Sequence, residues 1–146
     1  TALREAIASG LPTVAECGGF MYLQESLEDA GGAAWDMVGA LPGTCANEGK
    51  LRHFGYIDLE PRGDGLIARA GERLRAHEFH YWHSTHEGDS FVASKPGRAR
   101  RWDAAVSTAT LYAGYPHLFW PADTAPAERL VRAAALWQER RGGGAA

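Results

Sequence analysis

Apolar and polar positions in the first third of the chain follow helix and strand periods in turn. Residues 1–9 carry apolar side chains at helical spacing and stop at Gly10, which predicts a short amphipathic helix. Residues 12–15 form a short apolar run typical of a buried strand, and residues 19–29 return to a helical pattern. A helix, a strand and a second helix in succession are the repeating unit of a parallel sheet covered by helices.

The rest of the chain is richer in predicted strands. Residues 34–41 form a short apolar segment, residues 45–50 are predicted to be a loop, and residues 127–140 form a last helix before a glycine-rich tail at 142–144. Between them, short apolar stretches separated by turn residues predict strands at residues 51–59, 66–69, 74–82, 90–94 and 102–107. The pattern as a whole predicts one α/β domain.

The junction between the first strand and the second helix reads Glu16-Cys17-Gly18-Gly19. A nucleophile on a tight strand-to-helix turn projects outward, while the backbone N–H groups that follow it point toward the oxyanion formed during the reaction. Glycines keep such a turn uncrowded, and a helix N-terminus favours the thiolate form of cysteine. The alternative is that Cys17 is a small, buried, apolar residue at a glycine turn.

Composition and charge exclude several classes of protein. The chain has 146 residues, a hydrophobic content of 45% and a formal net charge of −3, values that are ordinary for one globular domain and give no support for nucleic-acid binding. Cys17 and Cys45 lack the spacing of a disulfide framework, and no signal peptide or membrane-spanning apolar run is found. We therefore expect reduced thiols in a cytoplasmic protein that binds neither nucleic acid nor membrane.

A cysteine nucleophile needs a base, and histidine is the usual one. His117 lies in the aromatic segment YPHLFW, where the end of a strand could bring it to the same edge as Cys17; a packed core histidine is the alternative. Sequence spacing alone does not choose among the six histidines, which are His53, His77, His80, His83, His86 and His117.

Four of these histidines recur every three residues in HEFHYWHSTHE, residues 77–87. The spacing invites a metal-binding interpretation, but the zinc-protease pattern of two histidines four apart around a glutamate is absent. On a strand, His77 and His80 would face opposite sides. We expect packed, hydrogen-bonded or exposed histidines rather than a metal site, and keep a histidine-rich metal-binding domain as an alternative.

Three blocks in the same order carry a resemblance to a known family: GLPTVAECGGFMYL at residues 10–23, HEFHY at 77–81 and YPHLF at 115–119. Together with MVGALPG at 37–43 they resemble the C-terminal glutamine amidotransferase domains of the cobyrinic acid a,c-diamide synthase family, which includes hydrogenobyrinate enzymes. The resemblance runs over almost the whole chain. It implies a flavodoxin-like α/β fold of the class I glutamine amidotransferases.

The resemblance also implies chemistry and partners. Cys17 takes the position of the nucleophile and His117 that of the general base and acid, while the Gly18 N–H is one oxyanion donor. Such domains hydrolyse glutamine and pass ammonia to a synthetase domain on the same polypeptide, which uses ATP and Mg²⁺ to amidate the a and c carboxylates of a corrinoid in cobalamin biosynthesis. No cofactor is expected in the glutaminase domain itself.

The chain departs from the broader pattern in two ways. Many class I amidotransferases have a glutamate two residues after the histidine, where this chain has Phe119. The family's first strands and the glycine-rich loop with the second oxyanion donor have no match, and no GxxxxGK[ST] motif occurs. We therefore expect residues 1–146 to be a partial domain from the C-terminal part of a longer synthetase, lacking its first strands.

Two alternatives follow from these departures. The isolated chain could be a catalytically incompetent fragment that acts as a docking or interaction module. Within the HEFHY block, Glu78 and His80 are candidates for the glutamine pocket or for the edge that faces the synthetase, and the alternative is that they only tie strands together.

Overall fold

The computed structural model describes residues 1–142. Its helices are α1 (Ala2–Ala8), α2 (Gly18–Leu23) and α3 (Ala125–Gly142), with a 3-10 helix at Trp120–Ala122 before α3. Its strands are β1 (Thr13–Glu16), β2 (Ser26–Glu28), β3 (Ala34–Asp36), β4 (Thr44–Asn47), β5 (Phe54–Pro61), β6 (Leu74–Phe79), β7 (Trp82–Ser84), β8 (Phe91–Ser94), β9 (Arg101–Ala104), β10 (Val106–Ser107), β11 (Leu111–Gly114) and β12 (His117–Leu118).

A three-stranded sheet of order β1-β11-β10 holds the start of the chain against its last third. β1 runs parallel to β11, with Thr13 opposite Leu111 and Glu16 opposite Gly114. Helix α2 buries Phe20 and Leu23, and the ring of Phe20 meets that of Tyr115 edge to face at 5.1 Å. This pairing brings the end of β1 close to the segment that follows β11.

A five-stranded antiparallel sheet of order β12-β6-β5-β8-β9 carries the larger core. Side chains alternate along β6, so that Leu74, Ala76 and Glu78 are buried. β12 adds to the edge of this sheet, with His117 opposite His77 and Leu118 opposite Ala76. The outer face of the sheet therefore carries both of these histidines.

A four-stranded sheet of order β3-β2-β4-β7 completes the arrangement. Two sequence predictions are wrong here. The helix predicted at 19–29 ends at Leu23, because residues 26–28 pair with β3 and β4 on both sides. The loop predicted at 45–50 begins as strand β4, in which Cys45 is buried between β2 and β7.

Other boundaries differ for local reasons. Residues 66–69 form no strand, although residues 66–68 are buried, and the predicted strand at 74–82 divides between two sheets after Phe79. The strand predicted at 102–107 is interrupted at Ala105, whose φ of 58° does not fit a regular strand. Helix α3 extends the predicted 127–140 at both ends, and the predicted tail from residue 143 onward lies outside the described residues.

The fold class predicted from the sequence is confirmed as mixed α/β. The succession α1, β1, α2 is present, and several sheets surround it in an arrangement consistent with a class I glutamine amidotransferase fold. Most strand pairs are antiparallel; β1 with β11 and β2 with β4 are parallel. Among residues 1–142, no helix is both long and apolar enough to cross a membrane.

Candidate active site

Cys17 occupies a strained turn between β1 and α2. Its φ of 50° and ψ of −107° lie outside the regions that L-residues ordinarily occupy. Its N–H donates to the carbonyl oxygen of Gly114 at 2.8 Å, and its own carbonyl accepts the first helical hydrogen bond, from Met21 N–H, at 3.0 Å. Backbone strain held in place by hydrogen bonds on both sides is a recurring feature of nucleophile turns.

Gly18 and Gly19 differ in the space around them. A Cβ placed on Gly18 would meet no described atom within 4 Å outside its neighbours and the backbone of α2, and a Cβ on Gly19 would make an ordinary contact with Ala15 at 3.7 Å. Neither glycine has a positive φ. Packing among the described residues therefore does not require glycine at position 18, which borders open space directly after Cys17.

Electrostatics around Cys17 oppose the thiolate. Burial raises the pKa of the Cys17 thiol, and the negative charges of Glu16 and Glu78 raise it further, whereas a hydrogen bond with the Gly18 backbone lowers it. The Gly18 backbone, at the start of α2, thus favours the thiolate as the sequence predicts, but burial outweighs this contribution. A thiol in this state needs a base to remove its proton.

His117 lies on β12 at the edge of the five-stranded sheet, with 48% of its side chain exposed. Among the hydrogen bonds of residues 1–142, none joins its ring to Cys17. The two residues are brought to the same edge through Glu16, whose Oε2 lies 3.8 Å from His117 Nδ1. His117 is an accessible histidine beside the nucleophile turn, and it is not packed into the core.

Glu16 is a site residue that the sequence analysis missed. Its Oε1 accepts a hydrogen bond from the backbone N–H of Leu118 at 3.0 Å, so that its two oxygens face two consecutive residues of β12. Phe119, the position for which the sequence resemblance raises the expectation of a glutamate, is exposed. The available sequence signal was a carboxylate at the carboxyl end of a strand, directly before the nucleophile.

Glu78 and His80 form a buried pair, with side-chain exposures of 3% and 2%. His80 Nε2 lies 2.9 Å from Glu78 Oε1, and His80 Nδ1 lies 2.6 Å from the carbonyl oxygen of Trp82. Since a carbonyl only accepts, Nδ1 carries a hydrogen, and a second proton lies between Nε2 and the carboxyl group. Glu78 Oε2 is buried without a hydrogen-bond partner among the described residues.

Aromatic stacking connects this pair to the nucleophile turn. The ring of Tyr115 lies flat on that of His80, with centroids 3.7 Å apart and planes at 1°. The other edge of Tyr115 contacts Phe20 of α2. His80 is therefore held by a carboxyl group, a carbonyl oxygen and an aromatic ring. These contacts stabilise a polar side chain in a buried position.

His83 and His53 make contacts of a different kind. His83 Nδ1 lies 2.8 Å from Glu87 Oε1, and His53 stacks on Trp102 with ring centroids 4.3 Å apart. Within residues 1–142, no group of three or more His, Cys, Asp or Glu side chains is arranged to hold a metal ion.

Cys45 has surroundings unlike those of Cys17. It is 2% exposed, and its Sγ lies 3.1 Å from Gln24 Oε1, which also accepts a hydrogen bond from Ser84 Oγ at 2.7 Å. Tyr115 Oη contacts Cys45 Sγ at 3.8 Å from the other side. Both thiols are free, but only Cys17 is accessible.

A cavity of about 590 Å³ opens beside His117. Its lining includes Tyr56, Asp58, Arg75, His77, His117 and Phe119. Pockets for small molecules have volumes in this range. The histidine that faces Glu16 therefore also faces a space large enough for an amino acid.

Comparison with known proteins identifies the family. The model of the CobB/CobQ-like glutamine amidotransferase domain matches residues 1–125. The chain belongs to this family. Its Cys17 turn and the HEFHY and YPHLF blocks all lie within the matched residues.

Three proteins similar to this chain are each named cobyrinate a,c-diamide synthase. The chain is 34% identical over 120 residues to cobyrinate a,c-diamide synthase of Caldanaerobacter subterraneus subsp. tengcongensis, covering 80% of this chain and 26% of the relative. It is 36% identical over 120 residues to that of Salmonella typhimurium, again covering 80% and 26%. The enzyme of Priestia megaterium is 32% identical over 142 residues, covering 95% and 31%. The chain thus spans between a quarter and a third of these relatives.

Proposed function

We propose that this domain hydrolyses glutamine with Cys17 as nucleophile and His117 as general base and acid. The observation that carries the proposal is the strained backbone of Cys17, anchored to Gly114 and opening onto unoccupied space at Gly18. An accessible histidine on the neighbouring strand supports it. Family membership supports the same reaction class.

The reaction proceeds in two balanced halves. His117 takes the proton of the Cys17 thiol as sulfur attacks the side-chain amide carbon of glutamine, and the oxygen becomes an oxyanion near the Gly18 N–H. His117 then gives the proton to the amide nitrogen, the C–N bond breaks, and ammonia leaves a thioester on Cys17. Water loses a proton to His117 as it attacks the thioester, and the proton returns to sulfur when glutamate departs.

We propose that Glu78 contributes to glutamine binding. Oε2 of Glu78 is buried without a hydrogen-bond partner among the described residues. A buried acceptor without a donor destabilises the folded protein, so this oxygen favours the binding of a donor. The α-ammonium group of glutamine is such a donor. The three contacts of His80 favour a structural role for that residue, which holds Glu78 in place.

We propose that the ammonia serves ATP-dependent amidation of the a and c carboxylates of a corrinoid, in a synthetase part of the same polypeptide. The printed name of the relatives and their greater length support this assignment. The sequence contains no GxxxxGK[ST] motif, and we assign no step involving ATP or Mg²⁺ to residues of this chain.

An exposed aromatic surface favours a second candidate, in which the chain is an interaction module. The rings of Phe54, Tyr56, Phe79, Tyr81 and Phe119 are between 41% and 79% exposed. Contiguous exposed apolar surface commonly marks a contact with another protein surface. In this second candidate function, the aromatic surface binds the synthetase part of the same polypeptide.

A glutamine-mimicking electrophile separates the two candidates. Incubation of the full-length protein with 6-diazo-5-oxo-L-norleucine is expected to add one covalent label, which peptide mass spectrometry locates at Cys17. The Cys45→Ala variant should be labelled to the same extent and the Cys17→Ser variant should not. A label on Cys45, or none on the wild-type protein, would refute the glutaminase and leave the interaction module.

A further inference from the structure

The carboxylate of Glu16 contacts the two residues of β12 in different ways. Oε1 accepts the backbone N–H of Leu118 at 3.0 Å, which fixes the direction of the carboxylate. Oε2 then lies 3.8 Å from Nδ1 of His117, which is an ion-pair distance. With 21% of its side chain exposed, Glu16 is largely shielded from water, and its charge is screened less than that of a surface residue.

This geometry favours one tautomer of the His117 ring. A carboxylate facing Nδ1 favours hydrogen on that nitrogen, which leaves the lone pair of Nε2 free to accept a proton. The same negative charge stabilises the imidazolium that forms when Nε2 takes the proton. An orienting carboxylate does this for the catalytic histidine of the serine hydrolases.

We propose that Glu16, the residue directly before the nucleophile, is the positioning residue that orients His117 and stabilises its imidazolium form. The inference rests on the proposed function, because it assigns a role within the same site. It assigns the role of the glutamate that is absent at Phe119 to a carboxylate at the end of β1.

Other charged and titratable groups also lie near His117. His77 lies opposite it on β6, and Arg75 and Asp58 line the adjoining cavity. Asp58 is 3.9 Å from Arg73, which partly offsets its charge. Among the described residues, Glu16 is the carboxylate within 4 Å of the His117 ring.

Glu16 also opposes the thiolate form of Cys17. An electrostatic role of Glu16 can therefore be separated from a purely structural one. Its negative charge is one of the causes that raise the pKa of Cys17. Removing that charge should therefore lower the pKa of Cys17, whatever role Glu16 has for His117. A purely structural role through Leu118 would leave the tautomer of His117 and kcat unchanged, because a glutamine side chain keeps an oxygen that accepts the same N–H.

The test compares the full-length wild-type protein with Glu16→Gln and with Glu139→Gln, a matched change on the exposed face of α3. We expect Glu16→Gln to lower kcat for glutamine hydrolysis about 10-fold or more, with little change in KM, because His117 loses the carboxylate that orients it and faces its protonated form. Alkylation of Cys17 by iodoacetamide should shift to lower pH in the same variant. Glu139→Gln should match the wild-type protein in both measurements.

The ring tautomer of His117 is measured separately by NMR of nitrogen-labelled histidine side chains, assigned with His117→Gln. A smaller share of the Nδ1–H tautomer in Glu16→Gln supports the inference whether or not the protein hydrolyses glutamine. Unchanged kcat and an unchanged His117 tautomer in that variant would overturn it. A wild-type protein with no glutamine turnover and no Cys17 adduct would instead refute the proposed function, while the NMR measurement still decides the relation between Glu16 and His117.

Discussion

The backbone N–H of Cys17 donates a hydrogen bond to the carbonyl oxygen of Gly114, and this bond joins the nucleophile turn to β11. Gly114 has little space around it: a Cβ there would lie 2.7 Å from Ala105 Cβ and 3.0 Å from Ala105 Cα. Ala105 is itself held at a positive φ of 58°. The position of Cys17 therefore depends on a close approach that only glycine allows.

Gly114→Ala should destabilise the fold by about 1–3 kcal/mol through overpacking. It should also lower glutamine turnover, because the carbonyl that anchors Cys17 must move. Urea unfolding and steady-state kinetics measure the two effects. Gly63→Ala is the control, since a Cβ at Gly63 meets no described atom within 4 Å. Equal stability of the two variants would contradict the close approach.

Gly18→Ala and Gly19→Ala form a second matched pair. Neither position has a positive φ or a clash, so both substitutions should leave the fold unchanged or stabilise it by up to about 1 kcal/mol, since alanine favours helix over glycine. Only Gly18→Ala extends into open space at the Cys17 turn, and only this variant should lose glutamine turnover. Thermal unfolding and kinetics check both parts. Equal turnover in the two variants would contradict a substrate position at Gly18.

The thiol of Cys17 should react slowly at neutral pH in the absence of glutamine. Burial raises its pKa in the folded protein, so the thiolate forms only above the ordinary range of about 8.5. Iodoacetamide alkylation, followed by mass spectrometry as a function of pH, should rise through a midpoint above that value, with Cys45 unlabelled until the protein unfolds. A midpoint below pH 7 would indicate a resting thiolate–imidazolium pair instead.

The same shift has a consequence for stability. Because the folded protein holds the Cys17 proton more tightly than the unfolded chain does, stability should fall as pH rises through the unfolded thiol pKa toward the folded one. Cys17→Ala should remove this part of the pH dependence. Urea midpoints between pH 7 and 10, compared for the two proteins, measure the difference.

Glu78→Gln tests the proposed contact with the α-ammonium group of glutamine. Loss of a charged hydrogen-bond partner should raise KM by roughly 10- to 100-fold, which corresponds to about 1.5–3 kcal/mol. A role limited to holding His80 would leave KM unchanged and lower the urea midpoint. Steady-state kinetics together with urea unfolding distinguish these outcomes.

Arg129 of α3 forms hydrogen bonds with the segment that precedes β6. It donates to the carbonyl oxygen of Ile67 at 2.9 Å and to both carboxylate oxygens of Glu72. Arg129→Met should destabilise the fold by about 1–2 kcal/mol, a value kept modest because Glu72 is a third exposed. Arg132→Met, on the exposed face of the same helix, is the control.

This ion pair should also depend on pH. The hydrogen bond from Arg129 lowers the pKa of Glu72 below its unfolded value, so its contribution is present at neutral pH and is lost as pH falls through the folded pKa. The difference in urea midpoint between wild type and Arg129→Met should therefore shrink between pH 7 and pH 3. An unchanged difference over this range would contradict a charge-dependent contact.

Local patterns predicted the parts of the fold that depend on neighbouring residues. Helix α1, strand β1 and the sharp turn at Cys17 follow from apolar spacing and from two glycines in a row. Prediction failed where strands pair with distant partners. Residues 26–28 continue a helical pattern, but hydrogen bonds to β3 and β4 make them a strand.

The sequence by itself determined the fold class, the strand-to-helix turn at Cys17 and the blocks that resemble the family, because these depend on residue order. Only the tertiary structure decided what surrounds Cys17. Parallel pairing of β1 with β11 brings Glu16 to residues separated from it by about a hundred positions, and burial there raises the thiol pKa against the effect of the turn itself. Distances and burial of this kind arise from packing, and no spacing along the chain encodes them directly.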